Sequence, residues 1–356
     1  MGAGGSSPAP VPPCVLIFES HEMNDRLPYL RRLGALLPAL LLAVAIAGGA
    51  DAAERTVAVS TPLQAAVDAT APGDVLRLTS GVHRGPVVLD KAVTLAGEPG
   101  AVLEGSGKGS VITVTAPDVR VEGLIIRGSG TDLPAMDSAV LVRRTAPRAV
   151  IAGNRMEHNL FGVYLHGAGG SLVRDNVIIG RRDLRMSEAG NGVSIWNAPG
   201  ARIVGNDVRF GRDGIFVTTS RHNEFRDNRF RDLRFAIHYM YTHERRIIGN
   251  RTQVKYVGTR LIDWGHTGRG NYWSDNPAFD LDGDGIADRP YRPNGVMDQI
   301  LWAYPQAKIL ANSPAVELIR WAQARFPAIR PGGVIDSAPL MRPPGAGDQL
   351  GEGDKP

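Results

Sequence analysis

Cysteine is almost absent: one residue, Cys14, in 356. That excludes a disulfide-stapled scaffold and any zinc module built from cysteine pairs. Aromatic residues are scarce too, at 6%, and only five of the 40 basic residues are lysine. The formal net charge is +4, and the arginines are interleaved with Asp and Glu. Such a balance gives no case for nucleic acid and reads as a mixed, solvated surface. Long apolar runs are missing apart from Leu33 to Ala47, and the mean hydropathy is −0.11, which excludes a polytopic membrane protein. Glycine (43) and proline (25) are plentiful, so the chain is rich in turns. Their combined share stays below that of low-complexity disorder.

The single apolar run has the layout of an export signal. Arg26, Arg31 and Arg32 precede it, and Ala50-Asp51-Ala52 follows as an A-x-A cleavage motif. Residues 1–52 are therefore expected to be leader and signal peptide, with Met23 as the better start. The exported chain then keeps no cysteine, and its expected compartment is the periplasm.

Asparagines recur after a small or acidic residue at Asn154, Asn176, Asn206, Asn228 and Asn250, with spacings of 22, 30, 22 and 22. A second marker keeps register with them: Phe161-Gly162-Val163, Asn191-Gly192-Val193, Asp213-Gly214-Ile215 and Phe235-Ala236-Ile237. Short runs of period-two alternation fill the intervals. A 22-residue unit of short strands and polar turns predicts a right-handed parallel β-helix, an all-β solenoid, over residues 53–271. Alternation places Val163, Leu165, Val193, Ile195, Ile215, Val217 and Ile237 inward. Tyr164, His166, Ser194, Trp196, Phe216, Thr218, His238 and Met240 fall outward. Tyr239 lands on an inward position, where it fits poorly. The asparagines are expected to stack as an internal ladder. Upstream, Pro62 to Ala69 predicts a short helix capping the open end, with Leu63, Ala66 and Val67 on one face.

Two intervals are 30 residues long rather than 22. The extra residues form loops at Gly128 to Ser138, with Asp132, Met136 and Asp137, and at Gly180 to Gly190, with Arg181, Arg182, Asp183, Met186 and Glu188. They should leave one edge two rungs apart, as a binding rim or as tolerated insertions.

Three groups carry candidate chemistry. Asp280, Asp282, Asp284 and Asp288, with Gly285 at the sixth position, match the start of a Ca²⁺ loop. The glutamate expected at the twelfth position is replaced by Tyr291, so the reading is a truncated structural Ca²⁺ loop or an Asp-rich turn. His238, Met240 and His243 lie within six positions, and imidazole with thioether is a soft donor set suited to copper, above all Cu(I). The competing reading is an ordinary aromatic and histidine stack above Phe216. Arg212-Asp213, Arg226-Asp227 and Arg231-Asp232 raise polysaccharide catalysis as an alternative, but several sit beside the Asn turn, where charged pairs commonly solvate a corner, and no compact base, acid and cation set stands out. After the Asp-rich loop, Ser313-Pro314 starts a helix to about Phe326, with Val316, Ile319 and Phe326 on one face. Residues 272–341 thus form the loop and a C-terminal helical cap or docking tail. Residues 342–356 have the composition of a disordered tail.

Four segments carry a family resemblance: Asn271-Tyr272-Trp273-Ser274-Asp275-Asn276, the Asp280 to Asp288 loop, Gln253 to Gly258, and Phe235 to Tyr241. Together they resemble the NosD family over nearly all of residues 55–341. The resemblance implies a periplasmic, non-catalytic protein that supplies or inserts copper during maturation of nitrous-oxide reductase. Its implied partners are that reductase, an inner-membrane ABC transporter and a copper chaperone. One departure stands out. NosD-type chains carry several more rungs between the segments resembling Phe235 to Thr242 and Asn250 to Gly258, whereas here the junction is nearly immediate. A solenoid tolerates loss of whole rungs, because each contacts only its neighbours.

Overall fold

The computed structural model describes residues 52–240, 246–248, 254–257, 261–265, 267–310, 313–326 and 333–343. The expected leader, His243, Asn250 and the tail from residue 344 lie outside them.

The strands coil as a right-handed parallel β-helix. Val75–Leu78, Gly81–Arg84 and Val87–Leu89 make one turn, and Thr94–Gly97 opens the next beside Val75–Leu78. Repetition builds three parallel sheets of nine, eight and seven strands. The loosely patterned upstream segment is thus as regular as the Asn-marked one. Every residue expected inward, from Val163 to Ile237, is at 0% exposure. Val163, Val193, Ile215 and Ile237 form one file through successive turns. Each such fully buried side chain contributes about 1.5–3 kcal/mol by leaving water.

Tyr239, expected to fit poorly, is at 0% exposure beside Val217. It is accommodated because the interior turns aromatic there: Phe225 (0%) and Phe230 (7%) occupy the same turn. Beyond it the same core takes in Trp264 and Trp273.

The asparagine ladder forms over its described length. Asn176 Oδ1 accepts from the Asn154 N–H at 2.9 Å and from Nδ2 at 3.1 Å, and Asn206 and Asn228 repeat this to their neighbours. Each Nδ2 also donates to a strand carbonyl, as from Asn206 to Val173 O at 3.0 Å. The preceding Gly153, Asp175, Gly205 and Asp227 have φ between 56 and 68°. Gly, Asp and Asn enter that left-handed region most readily, which explains the small or acidic residue before each Asn. The second marker has a different cause. A Cβ on Gly214 would sit 2.4 Å from the Phe230 ring and 2.5 Å from Ala236 O, so the next turn presses on the backbone there.

Helix α1 (Leu63–Asp68) caps the first turn, burying Leu63 and Val67. Its Gln64 side chain treats Val88 as a neighbouring strand would: Oε1 accepts from Val88 N (2.8 Å) and Nε2 donates to Val88 O (3.2 Å). An edge that would otherwise expose unpaired backbone is thereby blunted.

At the junction, Phe225 pairs with Ile247, preserving the 22-residue step, while His238 pairs with Lys255 after only 17. The chain then leaves the solenoid. Leu261–Asp263 pairs with Gly333–Ile335, and helices α2 (Val296–Ala303) and α3 (Pro314–Arg325) follow the Asp-rich loop. Ser313 Oγ caps α3 by accepting from Val316 N at 3.4 Å. Of the face expected to pack, Val316 is buried but Phe326 is 54% exposed, as are Trp321 (54%) and Leu318 (64%).

This segment is held by a residue that sequence periodicity does not mark. Asp336, at 0% exposure, accepts at Oδ2 from Asn271 N (2.7 Å) and Trp273 Nε1 (2.7 Å), and at Oδ1 from Ala338 N (3.2 Å).

Candidate metal site on the eight-stranded sheet

The outward face of the eight-stranded sheet is a ladder of unlike side chains. One column runs Tyr164, Ser194, Phe216, His238, and the next His166, Trp196, Thr218, Met240. Aromatic contacts tie it together: His166 lies 4.6 Å from Trp196, and the Phe216 ring meets His238 edge-on at 4.9 Å. His166 is held below its ordinary pKa by burial and by the charges of Arg143 and Arg144.

His238 points outward on this face yet is only 7% exposed, with Phe216 on one side and Phe235 5.6 Å away on another. Its Nδ1 lies 2.9 Å from Asp213 Oδ2. Asp213, at 0% exposure, also accepts a two-pronged bond from Arg234, Nε to Oδ1 at 2.9 Å and Nη2 to Oδ2 at 2.7 Å. Arg212 stands 4.0 Å from the same carboxylate and donates to Asn191 Oδ1 at 3.3 Å. Burial alone would raise Asp213, but the hydrogen bonds from His238 and Arg234 outweigh it and hold the carboxyl below its ordinary value. Arg212 is lowered by burial. His238 Nε2 is buried with no hydrogen-bond partner among the described residues.

Met240 is half-buried on the same face two residues on, next to Thr218. The structure therefore places His238 and Met240 on one face in neighbouring columns, while His243 lies outside the described residues. It also corrects the reading of Arg212-Asp213 as a solvated corner pair. Asp213 is the buried centre of an acid, imidazole and guanidinium cluster that sequence reading did not assemble. The register brings the two strands together, pairing Asp213 with Phe235 and Phe216 with His238, and the side chains close the remaining gap. Arg226–Asp227, at 3.4 Å and partly exposed, does remain a corner pair.

The Asp-rich loop gathers Asp280, Asp282 and Asp284, whose carboxylate oxygens lie within 4.8 Å of one another. Asp288 is not in that group; its Oδ2 closes the loop by accepting from Leu281 N at 2.9 Å. Asp280 accepts from Gly283 N (2.7 Å) and Gly285 N (2.9 Å), so the turn is braced by its own hydrogen bonds. The Asp284 N–H pulls Asp282 down, but the charges of Asp284 and Asp288 and its contact with Asp280 hold it above the ordinary carboxylate value.

The long loops are rim features. Asp137 Oδ2 accepts from Asp132 N at 3.0 Å in the first, and Arg181 holds Asp183 down to about 2 in the second. Met186 is 50% exposed there, beside a recess of about 230 Å³ shared with Phe210 and Asp232.

A family model described as "Periplasmic copper-binding protein (NosD)" matches residues 175–263, which include this site. A Stutzerimonas stutzeri protein named "Probable ABC transporter binding protein NosD" is 30% identical over 423 residues, covering 88% of this chain and 95% of that relative. The chain belongs to the NosD family. A Pseudomonas aeruginosa NosD of the same description is 32% identical, covering 76% of this chain and 88% of that one. The first of these alignments is longer than this chain, so stretches of that NosD protein have no counterpart here. Among solved structures, a family 28 exopolygalacturonase of Yersinia enterocolitica aligns with a TM-score of 0.45 and 14% identity, covering 62% of this chain and 58% of that one. At that score no reading of activity follows.

Proposed function

We propose that this NosD chain is a non-catalytic periplasmic accessory protein that holds copper and passes it on during maturation of nitrous-oxide reductase, in concert with an inner-membrane ABC transporter. A copper chaperone would supply the metal. The observation that carries the reading is His238: a nearly buried imidazole on the matched segment, with Nε2 unpartnered among the described residues and a thioether on the same face. An unmade hydrogen bond at a buried lone pair costs about 1–3 kcal/mol, which a bound soft cation would offset. His238, Met240 and His243 would be the donors, and their softness favours Cu(I). The description of the family as copper-binding and the transporter named in its relatives support the same reading.

The direct test is the copper content of nitrous-oxide reductase isolated from a strain lacking this chain. The wild-type gene should restore it, and His238→Ala/Met240→Ala/His243→Ala should not. Full restoration by the variant would sink the donor assignment. A metal-free scaffold joining transporter to reductase would show itself by capturing both while binding no copper.

One observation favours the enzymatic alternative, a lyase, hydrolase or epimerase acting on acidic polysaccharide. Asp213, His238, Arg212 and Arg234 do converge, as acid–base chemistry on a uronate requires. Turnover of uronate polymers would establish it; the copper reading expects none.

For the Asp-rich loop we propose a structural Ca²⁺ held by Asp280, Asp282 and Asp284, with Asp288 closing the turn. Three convergent carboxylates suit a hard cation. Because the loop already closes on backbone donors, the ion would add rigidity to an existing turn.

A further inference from the structure

We infer that Asp213, held by Arg234, is a positioning residue that fixes the His238 ring proton on Nδ1 and so presents the Nε2 lone pair as the donor atom. This deepens the copper reading and rests on it for its purpose, though not for its geometry.

Both Asp213 oxygens accept from Arg234, Nε to Oδ1 and Nη2 to Oδ2, so the carboxylate is the acceptor in this cluster and the nitrogen 2.9 Å from Oδ2 carries the proton. That nitrogen is Nδ1. Arg234 Nη2 lies 3.4 Å from the same nitrogen and could only donate to a bare Nδ1, but it already donates to Asp213 Oδ2 at 2.7 Å, and the 2.9 Å contact of Nδ1 with that oxygen is the shorter of the two. The other ring nitrogen is then either a lone pair or a second N–H. A second N–H would be a buried cationic donor without an acceptor among the described residues, in a cluster where Arg212 and Arg234 already outnumber the one carboxylate. The lone pair is the arrangement that costs less.

Arg234 makes the arrangement rigid. Its two-pronged bond fixes the carboxylate plane, and that plane sets the direction from which Nδ1–H is received. The aromatic rings of Phe216 and Phe235 then leave the imidazole little room to rotate. A carboxylate behind an imidazole is the usual outer partner of a metal-ligating histidine, raising the basicity of the far nitrogen. Here the partner comes from the preceding turn, so the donor is built by stacking two rungs.

The test starts on the metal-free wild-type protein with ¹⁵N-labelled histidine. His238 is assigned as the resonance missing from a His238→Gln variant, and long-range ¹H–¹⁵N correlation reports which nitrogen is protonated. A protonated Nδ1 with a bare Nε2 is expected. A proton on Nε2 overturns the inference without recourse to any other variant. In Asp213→Asn the amide can donate to Nδ1, so the proton should move to Nε2. Cu(I) affinity should then fall 10–100-fold, the usual cost of losing an outer partner, with partial rescue by Asp213→Glu. An unchanged tautomer in a folded Asp213→Asn protein also overturns the inference. If wild type binds no Cu(I), the copper reading fails, while the tautomer still decides the role of Asp213.

Discussion

Asp213 in the β-helix and Asp336 in the C-terminal segment are both at 0% exposure, yet the two regions hold them by opposite means. Asp213 is paired with charge: Arg234 grips it at two points and His238 adds a third bond. Among the described residues Asp336 has only neutral donors, the N–H groups of Asn271, Trp273 and Ala338. Their acidities follow. Burial works on both, but at Asp213 the cationic partner and the imidazole outweigh it, while at Asp336 burial prevails and the carboxyl sits above its ordinary value. A buried carboxylate with an unspent imidazole beside it is poised for a site; one surrounded by backbone and indole N–H groups is a pin.

The largest expected effect in this contrast is Asp213→Ala. It leaves a nearly buried imidazole and a partly exposed guanidinium without their carboxylate, and should cost about 3 kcal/mol in urea unfolding, the low end for breaking a buried pair. A loss under about 1 kcal/mol would return the corner to the status of a surface ion pair. Asp336→Ala should cost about 2–3 kcal/mol, because three donors lose their acceptor. Its effect should be local: hydrogen exchange should quicken across 261–343 and stay slow in 75–240. Gly270→Ala should reproduce the pattern, since its Cβ would lie 1.7 Å from an Asp336 oxygen.

Acid sharpens the comparison by pulling the two regions apart. Asp213, lowered in the fold, contributes stability that is present above the unfolded carboxylate value and lost as pH falls through its lower folded value. Asp336, raised in the fold, contributes stability that is present below the unfolded value and lost as pH rises through its raised one. Fluorescence of Trp264 and Trp273, both packed near the pin, should therefore report a C-terminal segment strengthened by mild acid, while far-UV dichroism of the β-helix weakens at lower pH. The Asp336→Asn variant should abolish the first trend and leave the second. The smallest effect is at the Asp-rich loop. Ca²⁺ at ten times its Kd should add about 1.4 kcal/mol, and Asp282→Asn should remove that increment.

How much of this was legible in the sequence also divides along the same line. The β-helix announces itself because each turn repeats one physical demand: a left-handed residue before the ladder asparagine, and a small residue where the next turn's backbone presses. Five asparagines in register are enough to read inward and outward faces, and His238 and Met240 came with them. Asp213 was misread because a carboxylate next to an arginine at a corner looks solvated unless the neighbouring turn is laid beside it. Tyr239 was misread because period-two alternation says which way a side chain points and nothing of how wide the interior is at that turn. The C-terminal segment has no period. Asn271 and Asp336 are 65 residues apart and meet only through tertiary folding, so nothing local marks the pin.

The central proposal is that copper is held on the outward face of the eight-stranded sheet, at His238 and Met240. Cu(I) titration of the purified protein against a competing chelator, beside His238→Ala/Met240→Ala/His243→Ala, tests it most directly. The account predicts tight binding by the wild type that disappears in the variant while the β-helix stays folded. Equal binding by both proteins would contradict it and move the metal elsewhere, with the exposed Met186 loop as the next place to look.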